Sequence, residues 1–327
     1  MALLIFIIAI ALAFDFTNGF HDTANAIATS VSTRALSPRI AVTGAALLNM
    51  TGAFLGQSVA TTVGKGIVQA TDVSQTLVLA ALIGAITWNL ITWYFGIPSS
   101  SSHSLIGGLI GATIASVGLD GVKWAGLMDK VVIPMVGSPL IGFVAAFIIM
   151  NVLLLIVHRY SPARVNRHFR SLQVFSAGYM ALSHGLNDAQ KTMGIITLAL
   201  LAAGKITTFH IPVWVILIAA GSMAAGTYSG GWRIIHTLGT RVIKLDPIHG
   251  FAAETSAATV IVLAGHFGFP ISTTHAITTS IMGAGATDRL SAVRWGVAGN
   301  IVTAWILTLP AAGLVAAAIY LLLHVAS

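Results

Sequence analysis

A chain of 327 residues that is 56% hydrophobic and 8% charged, with a mean hydropathy of +0.91, lies far from the roughly 25% charge of a soluble domain. The net charge of +7 does not signal a nucleic-acid partner, because its densest basic cluster sits between hydrophobic spans. With no cysteine, disulfides and thiolate metal sites are excluded.

The first apolar run begins without a basic flank or a small-residue cleavage site, and is expected to belong to a membrane domain rather than to a removed signal peptide. It is interrupted by the polar stretch Asp15 to Asn25. Charged side chains in hydrocarbon cost roughly 2.5–3.5 kcal/mol each, so they persist where they pair or line a pathway. Asn18-Gly19 is the expected break in the helix, and Asp22 and Asn25 then share one face of the helix that resumes. Apolar runs at 40–60 and 74–96 reach the length of about 20 residues that a bilayer core requires. The segment Gly96-Ile-Pro-Ser-Ser-Ser-Ser-His103 follows. Pro98 suits a helix start, and the hydroxyls of Ser100, Ser101 and Ser102 can meet free N–H groups there. Its continuation to Val117 is short for a crossing and predicts a re-entrant hairpin. A long span at 134–157 completes this half.

Arg159, Arg164, Arg167 and Arg170 mark the next segment as a cytoplasmic linker with affinity for anionic headgroups. The same order of parts then returns. Gly185-Leu-Asn-Asp188 echoes Gly19-Phe-His-Asp22, and Gly268-Phe-Pro-Ile-Ser-Thr-Thr-His275 echoes the first Pro-Ser-His segment. Trp295 and Pro310 match Trp124 and Pro139. The predicted organisation is a first membrane repeat over 1–158, a short basic linker over 159–171 and a second repeat over 172–327. An odd number of crossings per half inverts the second repeat and an even number keeps it parallel. Inverted repeats are common among secondary transporters, so the expected fold is an all-α integral membrane protein of two inverted-topology repeats, with broken helices and re-entrant hairpins.

Within the second half, Asp188 and Lys191 have the spacing of Asp22 and Asn25, with Gln190 adjacent. Asp188 and Lys191 either neutralise each other or share a site. Asp22 has no lysine partner, and a bound cation is the natural replacement. Glu254, the sole glutamate, lies in the span 250–268 and reads as an ion or proton ligand, with pairing to a base such as Lys191 as the rival. Ser272, Thr273 and Thr274 repeat the first hydroxyl cluster. Two helix N-termini inside the membrane would offer unpaired N–H donors to an oxyanion without an arginine. His103 and His275 either support the hairpins or relay protons. No nucleotide phosphate loop, zinc spacing or hydrolase triad is present, so no enzyme, structural metal or cofactor is expected.

Three stretches carry a family likeness: Gly19-Phe-His-Asp-Thr-Ala-Asn-Ala26, Gly185-Leu-Asn-Asp-Ala-Gln-Lys-Thr-Met-Gly194 and Gly268-Phe-Pro-Ile-Ser-Thr-Thr-His275. Along essentially its full length the chain resembles the inorganic phosphate transporter (PiT) family, and the bacterial low-affinity type in particular. The resemblance implies a multi-pass protein of the inner (plasma) membrane that takes up phosphate by cation-coupled alternating access. The coupling cation would be H+ or Na+, and the substrate phosphate or a metal–phosphate complex. It maps Asp22, Asn25, Asp188 and the hydroxyl clusters onto the site. Asn25, Gln190, Lys191 and the six hairpin hydroxyl residues are then the expected substrate ligands, and Asp22, Asp188 and Glu254 the expected coupling-cation ligands. A sulfate permease of the same fold and a passive anion channel are the alternatives. Expected partners are phosphate, the coupling cation and the bilayer, with a homo-oligomer left open.

Overall fold

The computed structural model describes residues 1–69 and 73–325. Among them the secondary structure is helical apart from turns and one isolated bridge between Val68 and Val122. The first half comprises α1 (Ala2–Ser32), α2 (Pro38–Gly52), α3 (Ser58–Thr61), α4 (Gln75–Tyr94), α5 (Ser101–Val117), α6 (Trp124–Leu127) and α7 (Ile133–Val157). The second comprises α8 (Pro162–Ala202), α9 (Val213–Ser229), α10 (Trp232–His236), α11 (Pro247–His266), α12 (Thr273–Ala286) and α13 (Trp295–Val325). Wider π-type turns extend α3 through Thr62–Gly66 and α10 through Thr237–Arg241. Ile133, Leu140, Val144 and Leu155 of α7 and Leu314 and Leu322 of α13 are exposed. Such a belt of large apolar side chains, on helices long enough to cross a bilayer, suits contact with lipid.

Two sequence expectations about boundaries change. α1 runs without a break through Asn18-Gly19 for 31 residues. Gly19 serves close approach instead: a Cβ there would collide with the backbone of Met223 and Thr227 on α9. Gly185 plays the same part between α8 and Asn49 of α2. The breaks in the fold fall elsewhere, as in the 59° bend between α9 and the α10 segment. The linker is not a loop over its whole length either, because α8 begins at Pro162 and carries Arg164, Arg167 and Arg170 as helix.

α1 and α8 pack antiparallel. Thr33 near the end of α1 donates to Gln173 near the start of α8 at 2.6 Å, and Thr192 further along α8 donates to Asp15 earlier in α1 at 2.8 Å. Each hairpin folds back on its own side. The end of α5 bonds to the chain before α4, Gln69 N to Gly121 O at 2.9 Å. The chain after α12 likewise bonds to the chain before α11, Arg294 N to Val242 O at 3.1 Å. The long final helices cross over, with α13 packed on α5 and α7 packed on α12. Two apolar cores result, one around α4 and α5 and the other around α11 and α12. The polar parts of α1 and α8 are held between them.

Candidate substrate and cation site

The two hairpins aim the starts of α5 and α12 at the middle of α1 and α8. Each start is built alike. Ser100 and Ser272 are N-caps, their hydroxyls accepting the N–H of His103 at 3.2 Å and of His275 at 3.1 Å. The cap residues themselves are extended, and Pro98 and Pro270 stand two residues before the cap rather than at the first helical position. The first two amides of each helix, at Ser101 and Ser102 and at Thr273 and Thr274, have no intrahelical acceptor and carry the positive end of the helix dipole.

Around these ends the motif residues converge. Asp22 accepts from Ser101 at 2.8 Å, lies 2.6 Å from His21 Nδ1 and has Thr274 Oγ1 at 3.5 Å. Asn25 donates to Thr273 at 3.1 Å and to Thr274 at 2.9 Å. Asp188 accepts from Lys191, with Thr273 Oγ1 at 3.5 Å and His184 Nε2 at 3.4 Å. Lys191 also donates to Ser102, and Ser102 donates to the Ile271 carbonyl at 3.1 Å, which ties α8 to both hairpin tips. Ligand atoms of Asp22, His184 and Asp188 all lie within 4.8 Å of one another, and all three residues are buried.

This arrangement can do two kinds of chemistry. Paired carboxylates from α1 and α8 suit a cation, and they repel each other without one. The side-chain oxygens of Asn18, Asn25 and Asn187 are buried and have no hydrogen-bond partner among the described residues. Orphaned acceptors of this kind are costly and fit hard cation ligation. The paired helix starts, with four hydroxyls and Lys191, suit a tetrahedral oxyanion.

Of the residues singled out in the sequence, Asp22, Asn25, Ser101, Ser102, Asp188, Lys191, Thr273 and Thr274 meet here. Ser100 and Ser272 turn their hydroxyls into their own helices as caps. Gln190 lies apart, because its amide is spent on the Val59 N–H at 2.9 Å, the Ala60 N–H at 3.2 Å and the Leu186 carbonyl at 2.6 Å. Glu254 also lies apart, accepting from Ser176, from Thr29 at 2.5 Å and from Gln173 at 3.2 Å. His103 and His275 stack behind the tips with ring centroids 4.9 Å apart, and His275 lies flat on Trp305 at 3.8 Å. His21 and His184 are the members that sequence reasoning did not weigh. His184 stands one helical turn before Asp188, a spacing that puts both on one face.

A helical membrane protein with two matching hairpins that converge on a buried cluster of carboxylates, hydroxyls and a lysine fits the class of solute transporters. A family model described as "Phosphate transporter family" matches residues 18–165 and again residues 157–316. A Mycobacterium tuberculosis (strain CDC 1551 / Oshkosh) protein described as "Probable low-affinity inorganic phosphate transporter" is 51% identical over 324 residues, covering 98% of this chain and 78% of the relative. A Rhizobium meliloti (strain 1021) protein of the same description is 50% identical, covering 97% of this chain and 96% of its own length. One of Bacillus subtilis (strain 168) is 45% identical, covering 99% and 98%. A solved structure titled "The sodium-dependent phosphate transporter" superposes with a TM-score of 0.93 at 27% identity, over 99% of this chain and 100% of that one. The chain belongs to the phosphate transporter family. It is a multi-pass protein of the inner membrane, a transporter and not an enzyme.

Proposed function

We propose that this phosphate transporter is a secondary active importer in which Asp22 and Asp188 hold the coupling cation and the two hairpin starts hold phosphate. The observation that carries the reading is the convergence of carboxylates from both halves, within 4.8 Å and with His184, at the point where both helix starts end. Cation and anion would then stabilise each other, so neither half-loaded state would be favoured to cross. In the same reading the N–H groups and hydroxyls of Ser101, Ser102, Thr273 and Thr274 bind phosphate oxygens, Asn25 orients the hydroxyls, and Lys191 contributes a positive charge. His103 and His275 support the hairpins from behind. Glu254 is a second cation or proton station, seven residues along α1 from Asp22 by its partner Thr29, or about 10 Å at helical rise.

Sodium is the first cation to test, because the solved neighbour is named sodium-dependent; a proton is the other. The antiparallel packing of α1 on α8 supports repeats of opposite membrane orientation, joined by the linker 159–171 on the cytoplasmic side. A carrier is favoured over a channel because Asp22 is 2% exposed and Asp188 is 0% exposed, so both carboxylates are enclosed by protein rather than facing an open pore. The test is uptake of labelled phosphate into proteoliposomes under an imposed sodium or proton gradient. Gradient-driven accumulation that sulfate does not compete is expected. Flux indifferent to both gradients would overturn the coupling, and strong sulfate competition would move the substrate assignment.

A further inference from the structure

We propose a second oxyanion site at the tip of the first hairpin, one that takes a phosphate group presented either free or on an anionic lipid headgroup. A groove of about 400 Å³ opens there, lined among others by Tyr94, Trp232, Arg233, His236, Thr237 and Arg241. Three of its residues are basic and none is acidic. The Arg233 guanidinium donates to the Tyr94 carbonyl and lies 4.9 Å from the Tyr94 ring and 5.2 Å from that of Trp93. Those contacts fix it in place and leave further N–H donors for a ligand. Among the described residues the side chains of Arg241 and His236 have no hydrogen-bond or ion-pair partner. Arginine matches phosphate oxygens through parallel N–H donors, and basic pockets between membrane helices take phosphate headgroups on the same grounds.

The fold supplies its own comparison. The segment Thr62-Val-Gly-Lys-Gly66 stands to the second hairpin as Thr237-Leu-Gly-Thr-Arg241 stands to the first. At the positions of Arg233, His236 and Arg241 that segment and α3 have Ser58, Thr61 and Gly66. At that tip Lys130 lies 5.0 Å from the Phe269 ring, and Lys65 of the segment lies over the Phe209 ring instead. Architecture alone therefore does not require the three bases. The charged groove also lies on the side of the basic linker, since the π-type turn of α10 packs on Ser32 at the end of α1, beside the start of α8.

An occupied groove would bear directly on the buried site. Thr237 donates to the Gly96 carbonyl in the hairpin tip at 2.9 Å. Three residues on, Ser99 donates to Thr92 at 2.8 Å, Thr92 lies 3.2 Å from His21 Nε2, and His21 lies against Asp22. A phosphate held by Arg233 and Arg241 would brace the tip that places Ser101 on Asp22.

The experiment is equilibrium binding to the full chain, which does not depend on coupled uptake. Arg241→Gln with His236→Gln is the informative pair; Arg233 is spared because it also holds the tip. Labelled inorganic phosphate is measured in a Thr273→Ala background, which weakens phosphate binding at the buried site. Retention of phosphatidylglycerol over phosphatidylcholine is measured by native mass spectrometry. If the groove takes free phosphate, the pair loses the residual phosphate binding by about tenfold or more. If it takes headgroups, the pair loses phosphatidylglycerol selectivity by a similar factor while phosphate binding stays. Unchanged binding of both ligands, in a pair that melts like wild type, overturns the proposal.

Discussion

Replacing Asp22 by Asn keeps the shape and a hydrogen-bond acceptor for Ser101 while removing one charge from the cation cluster. The ligand atoms of Asp22, His184 and Asp188 lie within 4.8 Å of one another, so a cation seated among them lies no farther than that from either carboxylate. At an effective dielectric of about 20, one unit charge at that distance is worth roughly 3.5 kcal/mol. That corresponds to a loss of a few hundred-fold in cation affinity. The assay is the cation dependence of thermal unfolding in detergent, followed by gradient-driven phosphate uptake in proteoliposomes. The melting temperature should stop responding to the cation over the wild-type range, and coupled uptake should disappear while the protein stays in the membrane. A variant whose cation midpoint moves by less than about tenfold and still accumulates phosphate would refute the placement of the cation between the aspartates.

Lys191→Met strands the Asp188 carboxylate, which is 0% exposed, and should destabilise the fold by about 3–5 kcal/mol. Adding Asp188→Asn should restore more than half of that in denaturant or thermal melts, and no recovery would mean the two charges are not a stabilising pair. Thr273→Ala and Ser272→Ala should separate binding from capping. The cap at Ser272 is worth about 0.5–2 kcal/mol of stability, whereas Thr273, facing Asn25 and Asp188, should raise the phosphate KM with little change in melting. Gly185→Ala puts a Cβ into the Asn49 backbone, where neither helix can yield, and should cost about 1–3 kcal/mol, read as lower melting temperature and yield. Gly44→Ala, whose Cβ meets nothing within 4 Å, is the control.

The membrane class and the doubling of the chain were legible because both are written in composition and spacing. The pairing of Asp22 with Asp188 was legible for the same reason: each motif recurs, and each sits where hydrocarbon penalises charge. Three features were not. Gly19 reads as a helix breaker in one dimension, and only the approach of α9 shows that it is a contact surface. Gln190 carries the same motif signal as Lys191, yet one residue of helix rotation points it at the start of α3 instead of the pocket. Glu254 looked like a third site carboxylate because a lone glutamate in an apolar span has no sequence partner. Its partners Thr29, Gln173 and Ser176 come from two other helices, and Gln173 and Ser176 have no charge to announce them. The groove at Arg233 and Arg241 needed the fold as well, since eight residues of sequence separate two side chains that line one cavity.

The two copies of the motif differ at several positions, and the difference at Asn25 bears on how many cations move. Asn25 stands where the second half has Lys191, so Asp22, Asp188 and Lys191 together carry one negative charge with the histidines neutral. A net charge enclosed at membrane depth is penalised, and loading monobasic phosphate would double it. Neutrality of the closed, loaded site then calls for roughly two monovalent cations per monobasic phosphate. Under this reasoning the cation dependence of uptake is sigmoidal, with a Hill coefficient above unity. Asn25→Asp, which adds one negative charge, should steepen that dependence, and Asn25→Lys should flatten it. Initial rates of phosphate uptake across a cation titration measure both. A hyperbolic wild-type curve, unchanged in slope by either substitution, would show that charge balance in the cluster does not set the stoichiometry.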